Sequence, residues 1–244
     1  MIRHAPAPTA VVRVTGEDAA SFLQGQCTAD LRKVALTDAL WLNRKGRVLA
    51  HTVVAKEADG SFLLLCPHLT AEETIAIVTD NVIADDVVAA DETSAWGRWV
   101  VWGFEPSIAG AKFFPTRRFG VEAWDVLTPA GAAMPGEAGR REELETLRIR
   151  AGVPAVPADC GANEFPQECG LEAIQSMGSL RRILRRVSGS VVVGQELKTS
   201  EGKTAVVVRS AAGDAGLALV SADLPEGAEL GGVCLGPPAV MPAR

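Results

Sequence analysis

The sequence predicts an α+β protein that ends in a small all-β module. Three observations carry this reading. Strand and helix signals run β-α-β-β-β-α-β between residues 9 and 90, an antiparallel-rich order related to ferredoxin-like units. A second block follows, with a tryptophan-rich strand and the strongest helix signal in the chain. From about residue 188 only short strand signals and turns remain, the pattern of a small barrel. The 244 residues are therefore expected to divide into 1–92, 93–187 and 188–244.

The elements follow in order. T-A-V-V-R-V (9–14) alternates like a strand, and Thr15 with Asp18 reads as a capping box opening a short helix that stops near Gly25. A-L-W-L-N (39–43) and V-L-A-H-T-V-V-A (48–55) form a hairpin with Gly46 in its turn, and S-F-L-L-L-C-P (61–67) is the next strand. Thr70 and Glu73 make a second capping box, for a helix from Ala71 to Asp80. V-I-A-D-D-V-V-A-A (82–90) returns as a strand. W-G-R-W-V-V-W-G-F (96–104) carries three tryptophans, as core packing or as a stacking platform; its β-branched and aromatic content favours a strand. V-E-A-W-D-V-L-T-P (121–129) is another strand, and 136–149 is a helix ending at Gly152-Val-Pro. In the tail, V-V-V-G-Q-E-L, K-T-A-V-V-V-R-S and G-L-A-L-V are short strands.

Composition narrows the function. The net charge of −6, from 24 basic and 30 acidic residues, argues against stable nucleic-acid binding. No apolar run is long enough for a membrane span, and the first residues lack a signal-peptide core. Five cysteines (27, 66, 160, 169, 234), odd in number and without C-x-x-C, read as reduced thiols in the cytoplasm. The three histidines are scattered, so no zinc or iron–sulfur site is expected. No strand leads into a Gly-rich phosphate loop, which removes Rossmann and Walker sites.

Four segments then fall in one order: F-L-Q-G-Q-C-T-A-D-L (22–31), L-N-R-K-G-R-V-L-A (42–50), E-T-L-R-I-R-A-G-V-P (145–154) and F-P-Q-E-C-G-L (165–171), with V-G-Q-E-L (193–197) in the β tail. Together they resemble the superfamily of the glycine cleavage T protein, an aminomethyltransferase, and within it the YgfZ-type folate-binding proteins. The resemblance implies a cloverleaf: two ferredoxin-like subdomains and a C-terminal β-barrel around a cavity that holds tetrahydrofolate. It also implies a cytoplasmic, monomeric protein, with iron–sulfur or tRNA-modifying enzymes as partners.

The same resemblance shows what this chain lacks. The transferases carry paired aspartates in the hairpin strand, where a carboxylate handles a proton near the folate nitrogen. Here those positions are Ala50 and His51. His51 reads as a substitute proton carrier or as a half-exposed strand residue without a role. YgfZ-type proteins continue into Lys-Gly-Cys-Tyr-x-Gly-Gln-Glu, whereas this chain has Q-S-M-G-S-L and then arginines. Cys169 and Cys27 read as small packed residues, with a displaced reactive thiol as the alternative. The expectation is a folate-binding protein without the family's cysteine chemistry; the rivals are a folate-dependent one-carbon transferase and a non-catalytic scaffold.

The resemblance also assigns folate-contacting residues. Glu168 matches a family position facing the pterin, whose donor edge a carboxylate complements. Arg148 matches an arginine that pairs with Glu168 or with a folate carboxylate, or is simply a helix-end cation favoured by the dipole. Gln24, Gln26 and Asn43 come from the two loops facing the cavity in the family. Arg181, Arg182, Arg185 and Arg186 form the one dense basic cluster, read as a solvated face or as an anion site for a polyglutamate tail or an RNA backbone.

Overall fold

The computed structural model describes residues 3–103, 107–171 and 180–242. In chain order its elements are β1 (Arg3–Pro6), β2 (Ala10–Thr15), α1 (Ala19–Gln26), β3 (Leu36–Leu42), β4 (Val48–Lys56), β5 (Phe62–Cys66), α2 (Ala71–Thr79), β6 (Val88–Asp91), β7 (Trp96–Trp102), β8 (Lys112–Thr116), β9 (Ala123–Pro129), β10 (Glu137–Ala138), α3 (Arg141–Ala151), β11 (Arg182–Gly189), β12 (Glu196–Lys198), β13 (Thr204–Ala212), β14 (Ala215–Ser221), β15 (Glu229–Leu230) and β16 (Val233–Pro238). The chain is α+β and forms two compact units. One holds residues 1–116, 122–141 and 243–244; the other holds 117–121 and 142–242.

The first unit contains two five-stranded sheets. One has the order β3-β4-β5-β2-β6 and is antiparallel throughout. Its outer face packs on α1 and α2 through Val12, Val14, Phe22, Leu23, Trp41 and Val78. The other has the order β10-β1-β7-β9-β8. The two sheets pack face to face through Val11, Val53, Leu63, Leu65, Phe114 and Leu127. Strand β5 is thus covered on both sides, which explains why it reads F-L-L-L-C without alternation. Each of its buried leucines contributes about 2 kcal/mol of burial free energy.

The tryptophans of β7 are split by strand parity. Trp96 packs in the core between the sheets, Trp102 lies under the Arg3 guanidinium, and Trp99 meets His4 edge-on from the other face. Packing, not a continuous stacking platform, explains their spacing.

Several sequence expectations shift. The Thr70–Glu73 box is present in full. The Thr15–Asp18 box is not: Asp18 caps α1 without a side-chain bond, because its carboxylate accepts the Asp86 N–H at 2.9 Å. Residue 16 must be glycine here, since a Cβ would meet the Asp86 carbonyl at 1.9 Å. That crossing also keeps 82–87 out of strand β6. Helix α1 runs through Gly25 to Gln26. Helix α3 starts at Arg141, because Glu137–Ala138 pair in parallel with β1.

In the second unit, β12-β13-β14-β11-β16-β15 form a six-stranded sheet. It curls around Val187, Val206, Val208, Ala218, Val220, Val233 and Leu235, and Leu197 of one edge strand packs beside Gly231 of the other edge hairpin. This nearly closed barrel is the all-β module read from the tail. Among the described residues of both units, no helix is long and apolar enough to cross a membrane.

Candidate functional site

In the second unit, residues 159–171 fold into two short turns, each anchored by a buried glutamate. The Glu164 Oε2 accepts the Gly161 N–H at 3.0 Å, and the Glu168 Oε2 accepts the Phe165 N–H at 2.9 Å. Such Glu-to-backbone bonds satisfy the exposed donors of a first turn. Pro166 starts the 3₁₀ turn that carries Glu168, and Gly170 ends it in the left-handed region. The C-terminal segment clamps this arrangement: Met241 N–H donates to the Gly170 carbonyl at 2.8 Å, and Val240 N–H to Gly152 at 3.0 Å.

Two arginines of the barrel wall face these glutamates. Arg209 Nη2 donates to Glu164 Oε1 at 2.9 Å. Arg182 lies 3.6 Å from Glu168 and 3.8 Å from Glu164, with its side chain 41% exposed. Glu168 itself is only 6% exposed, while the neighbouring Phe165 is 37% exposed. A buried carboxylate close in the chain to an exposed aromatic residue is a combination that can accept N–H groups from a planar ligand and stack on its face.

Arg148 does not pair with Glu168. All five of its N–H groups are engaged elsewhere: Nε and Nη2 on Glu145, Nη1 on the Val153 carbonyl and on Asp159 Oδ2 (both 2.6 Å), and Nη2 also on Ser210 Oγ at 3.1 Å. Asp159 is fully buried and also accepts from Ala155 N–H at 2.8 Å and Ser210 Oγ at 2.5 Å. Burial works against the charge on Arg148, but Glu145 and Asp159 outweigh it and raise its pKa further. This network joins α3, the start of the 153–171 segment and β13. It supports the turn that carries Glu168.

Gln24, Gln26, Asn43 and His51 belong to the first unit. Gln24 Oε1 accepts the Leu31 N–H at 2.8 Å and so closes the loop after α1. Gln26 Oε1 accepts from Asn81 Nδ2 at 2.8 Å. Asn43 Oδ1 accepts the N–H groups of Lys45 and Arg47 at 2.9 and 3.0 Å, shaping the turn in which Gly46 has a positive φ. Their amide oxygens thus serve local structure. His51 is buried at 5% exposure rather than half-exposed, and its Nε2 lies 2.9 Å from Asp38 Oδ1 across the β3–β4 ladder. Ala50, its neighbour, faces the helices. Asp38 carried no sequence signal, because its partner is set by strand register.

Three of the five thiols, those of Cys66, Cys160 and Cys169, are buried. Cys160 and Cys169 are buried and hydrogen-bonded to each other; that bond and burial push the Cys160 thiol far up. Burial also raises Cys27, whose Sγ reaches the Ala29 carbonyl. The shortened segment that replaces the Lys-Gly-Cys-Tyr signature falls on 172–179, outside the described residues. Among the described residues no three His, Cys, Asp or Glu side chains group as a metal site. The residues that sequence reasoning missed are Asp159, Glu164, Arg209 and Ser210. Glu164 had a signal, a buried-turn spacing like that of Glu168 four residues on; Asp159 and Ser210 had none.

No family model and no curated protein matches the sequence. The fold is similar to the crystal structure of glycine cleavage system aminomethyltransferase T from Bartonella henselae, with a TM-score of 0.83 at 14% identity, over 97% of this chain and 85% of that one. The chain therefore has the α+β fold of an aminomethyltransferase T protein.

Proposed function

We propose that this protein binds a tetrahydrofolate, with the Glu168 carboxylate taking the N–H edge of the pterin. One observation carries the reading: Glu168 is buried, and its carboxylate is oriented by the N–H of Phe165, an exposed aromatic residue. A pterin has the planar face and the donor edge that such a site complements. The aminomethyltransferase T fold supports the same ligand class. Arg148 acts through Asp159 as a support, and Gln24, Gln26 and Asn43 are proposed as further folate contacts on the family resemblance. On this reading the protein is a YgfZ-type, cytoplasmic monomer of three parts (1–92, 93–187, 188–244). It lacks cysteine chemistry of its own and serves iron–sulfur or tRNA-modifying partners.

The test is calorimetric titration with 5-formyltetrahydrofolate, for the wild type and Glu168→Gln. Glutamine keeps an oxygen for the Phe165 N–H, so the turn survives while one acceptor is lost. The expected outcome is micromolar binding weakened by at least 1 kcal/mol, about fivefold. Wild-type protein that takes up no folate overturns the proposal.

The His51–Asp38 pair favours a second reading, a folate-dependent one-carbon transferase. An imidazole held by a carboxylate is the arrangement a proton carrier uses. His51→Ala decides it: any folate-dependent turnover of the wild type that persists in the variant removes His51 from the chemistry.

A further inference from the structure

Among the described residues, the barrel interior contains one guanidinium, that of Arg185, with no carboxylate partner. Arg185 on β11 lies directly opposite Ala218 of β14, on the same face as Val187. Ala218 and Val187 belong to the valine-rich inner cluster, so Arg185 points to the inside of the sheet. It is more than nine-tenths buried, at 8% exposure. Its Nη1 donates to the Gly236 carbonyl at 3.3 Å, and its Nε–H is sealed from solvent with no partner. Among the described residues no carboxylate lies within ion-pair distance of it. By contrast Arg182, three residues earlier on the outer face, has Glu164 and Glu168, and Arg148 has Glu145 and Asp159.

A buried guanidinium with one weak carbonyl contact is destabilising unless an anion meets it. The sheet beside it is irregular. The β11–β16 register shifts between Arg185 and Val187, where β16 reads Gly236-Pro237-Pro238. Prolines 237 and 238 have no N–H, so the ladder is incomplete at this point. Half-buried Ile183 and exposed Pro238 border the same end.

We propose that Arg185 forms a second ligand site, for a carboxylate or phosphate oxyanion of a small molecule, at the Pro238 end of the barrel. This site is independent of the Glu168 reading. The guanidinium supplies charge-assisted N–H donors, and the apolar inner face excludes competing water.

Inorganic phosphate and acetate are the probes, titrated calorimetrically at constant ionic strength into the wild type, Arg185→Met and Arg186→Met. Methionine keeps the long apolar stem, and Arg186 is the exposed neighbour on the outer face. The expected result is saturable binding of at least one probe, weakened about tenfold or more by Arg185→Met and unchanged by Arg186→Met. A thermal melt without added oxyanion separates folding from binding: Arg185→Met is expected to melt no lower than the wild type, because an unpaired buried charge is gone. Wild-type protein that binds neither probe, binding that survives Arg185→Met, or a melt that drops in that variant overturns the site.

Discussion

Replacing Asp159 by alanine is expected to cost about 4 kcal/mol of folding stability. Asp159 is the fully buried partner of Arg148, which is itself 3% exposed. Removing one member of a buried pair costs about 3–5 kcal/mol, because the other charge stays behind. Here Glu145 still holds Arg148 from a half-exposed position, which places the charge contribution near the low end, about 3 kcal/mol. The Ala155 N–H and the Ser210 hydroxyl also lose their acceptor, adding about 1 kcal/mol net. The assay is urea unfolding followed by far-ultraviolet circular dichroism. Tryptophan fluorescence does not serve, since all five tryptophans (41, 96, 99, 102, 124) lie in the first unit. The double variant Arg148→Met/Asp159→Ala is expected to lose less than Asp159→Ala alone, because no charge is stranded. A loss under about 1 kcal/mol for Asp159→Ala, or a double variant worse than the sum of the singles, refutes the account.

Four further outcomes follow from the geometry. Thr70→Ala removes the cap of α2 and is expected to cost about 1 kcal/mol in the same unfolding assay. Bonds from the Thr70 N–H and then its hydroxyl lower the Glu73 pKa, so the Glu73 contribution is full above the ordinary carboxylate range near 4.3 and is lost as pH falls through the depressed value; a Glu73→Gln difference that grows on acidification contradicts this. Native protein is expected to expose at most Cys27 and Cys234 to a disulfide reagent at neutral pH, with Cys66, Cys160 and Cys169 reacting only after unfolding; fast native labelling of Cys169 refutes its packed role. Gly170→Ala forces a side chain into the left-handed region with its Cβ 2.0 Å from the Ala239 carbonyl, and is expected to cost more than about 2 kcal/mol by denaturant titration.

Much of the fold was legible because local chemistry set it. The Thr70–Glu73 box, the Gly46 turn and the apolar run of β5 act within a few residues, and each stands as read. Errors arose where a distant segment decided the outcome. Asp18 looked like part of a cap, but its carboxylate is taken by Asp86, 68 residues away. Glu137 looked helical, but β1 draws it into a sheet. The candidate site followed the same division. The turn at Pro-Gln-Glu was legible, while the folate role of Glu168 rests on the family resemblance and is a proposal. The partner of Arg148 was not, since Asp159 meets it only through a loop that curls back and Ser210 only through the barrel. His51 looked half-exposed because strand alternation cannot show that its side of β4, shared with Val53 and Ala55, is buried.

The central claim, a reduced-folate site at Glu168, is tested most directly by hydrogen–deuterium exchange with and without saturating 5-formyltetrahydrofolate. Slower exchange is expected to concentrate in 161–171, above all at the amides of the Glu168 turn, with no such slowing in Glu168→Gln at the same ligand concentration. Unchanged exchange across that segment, or protection confined to other parts of the chain, contradicts it.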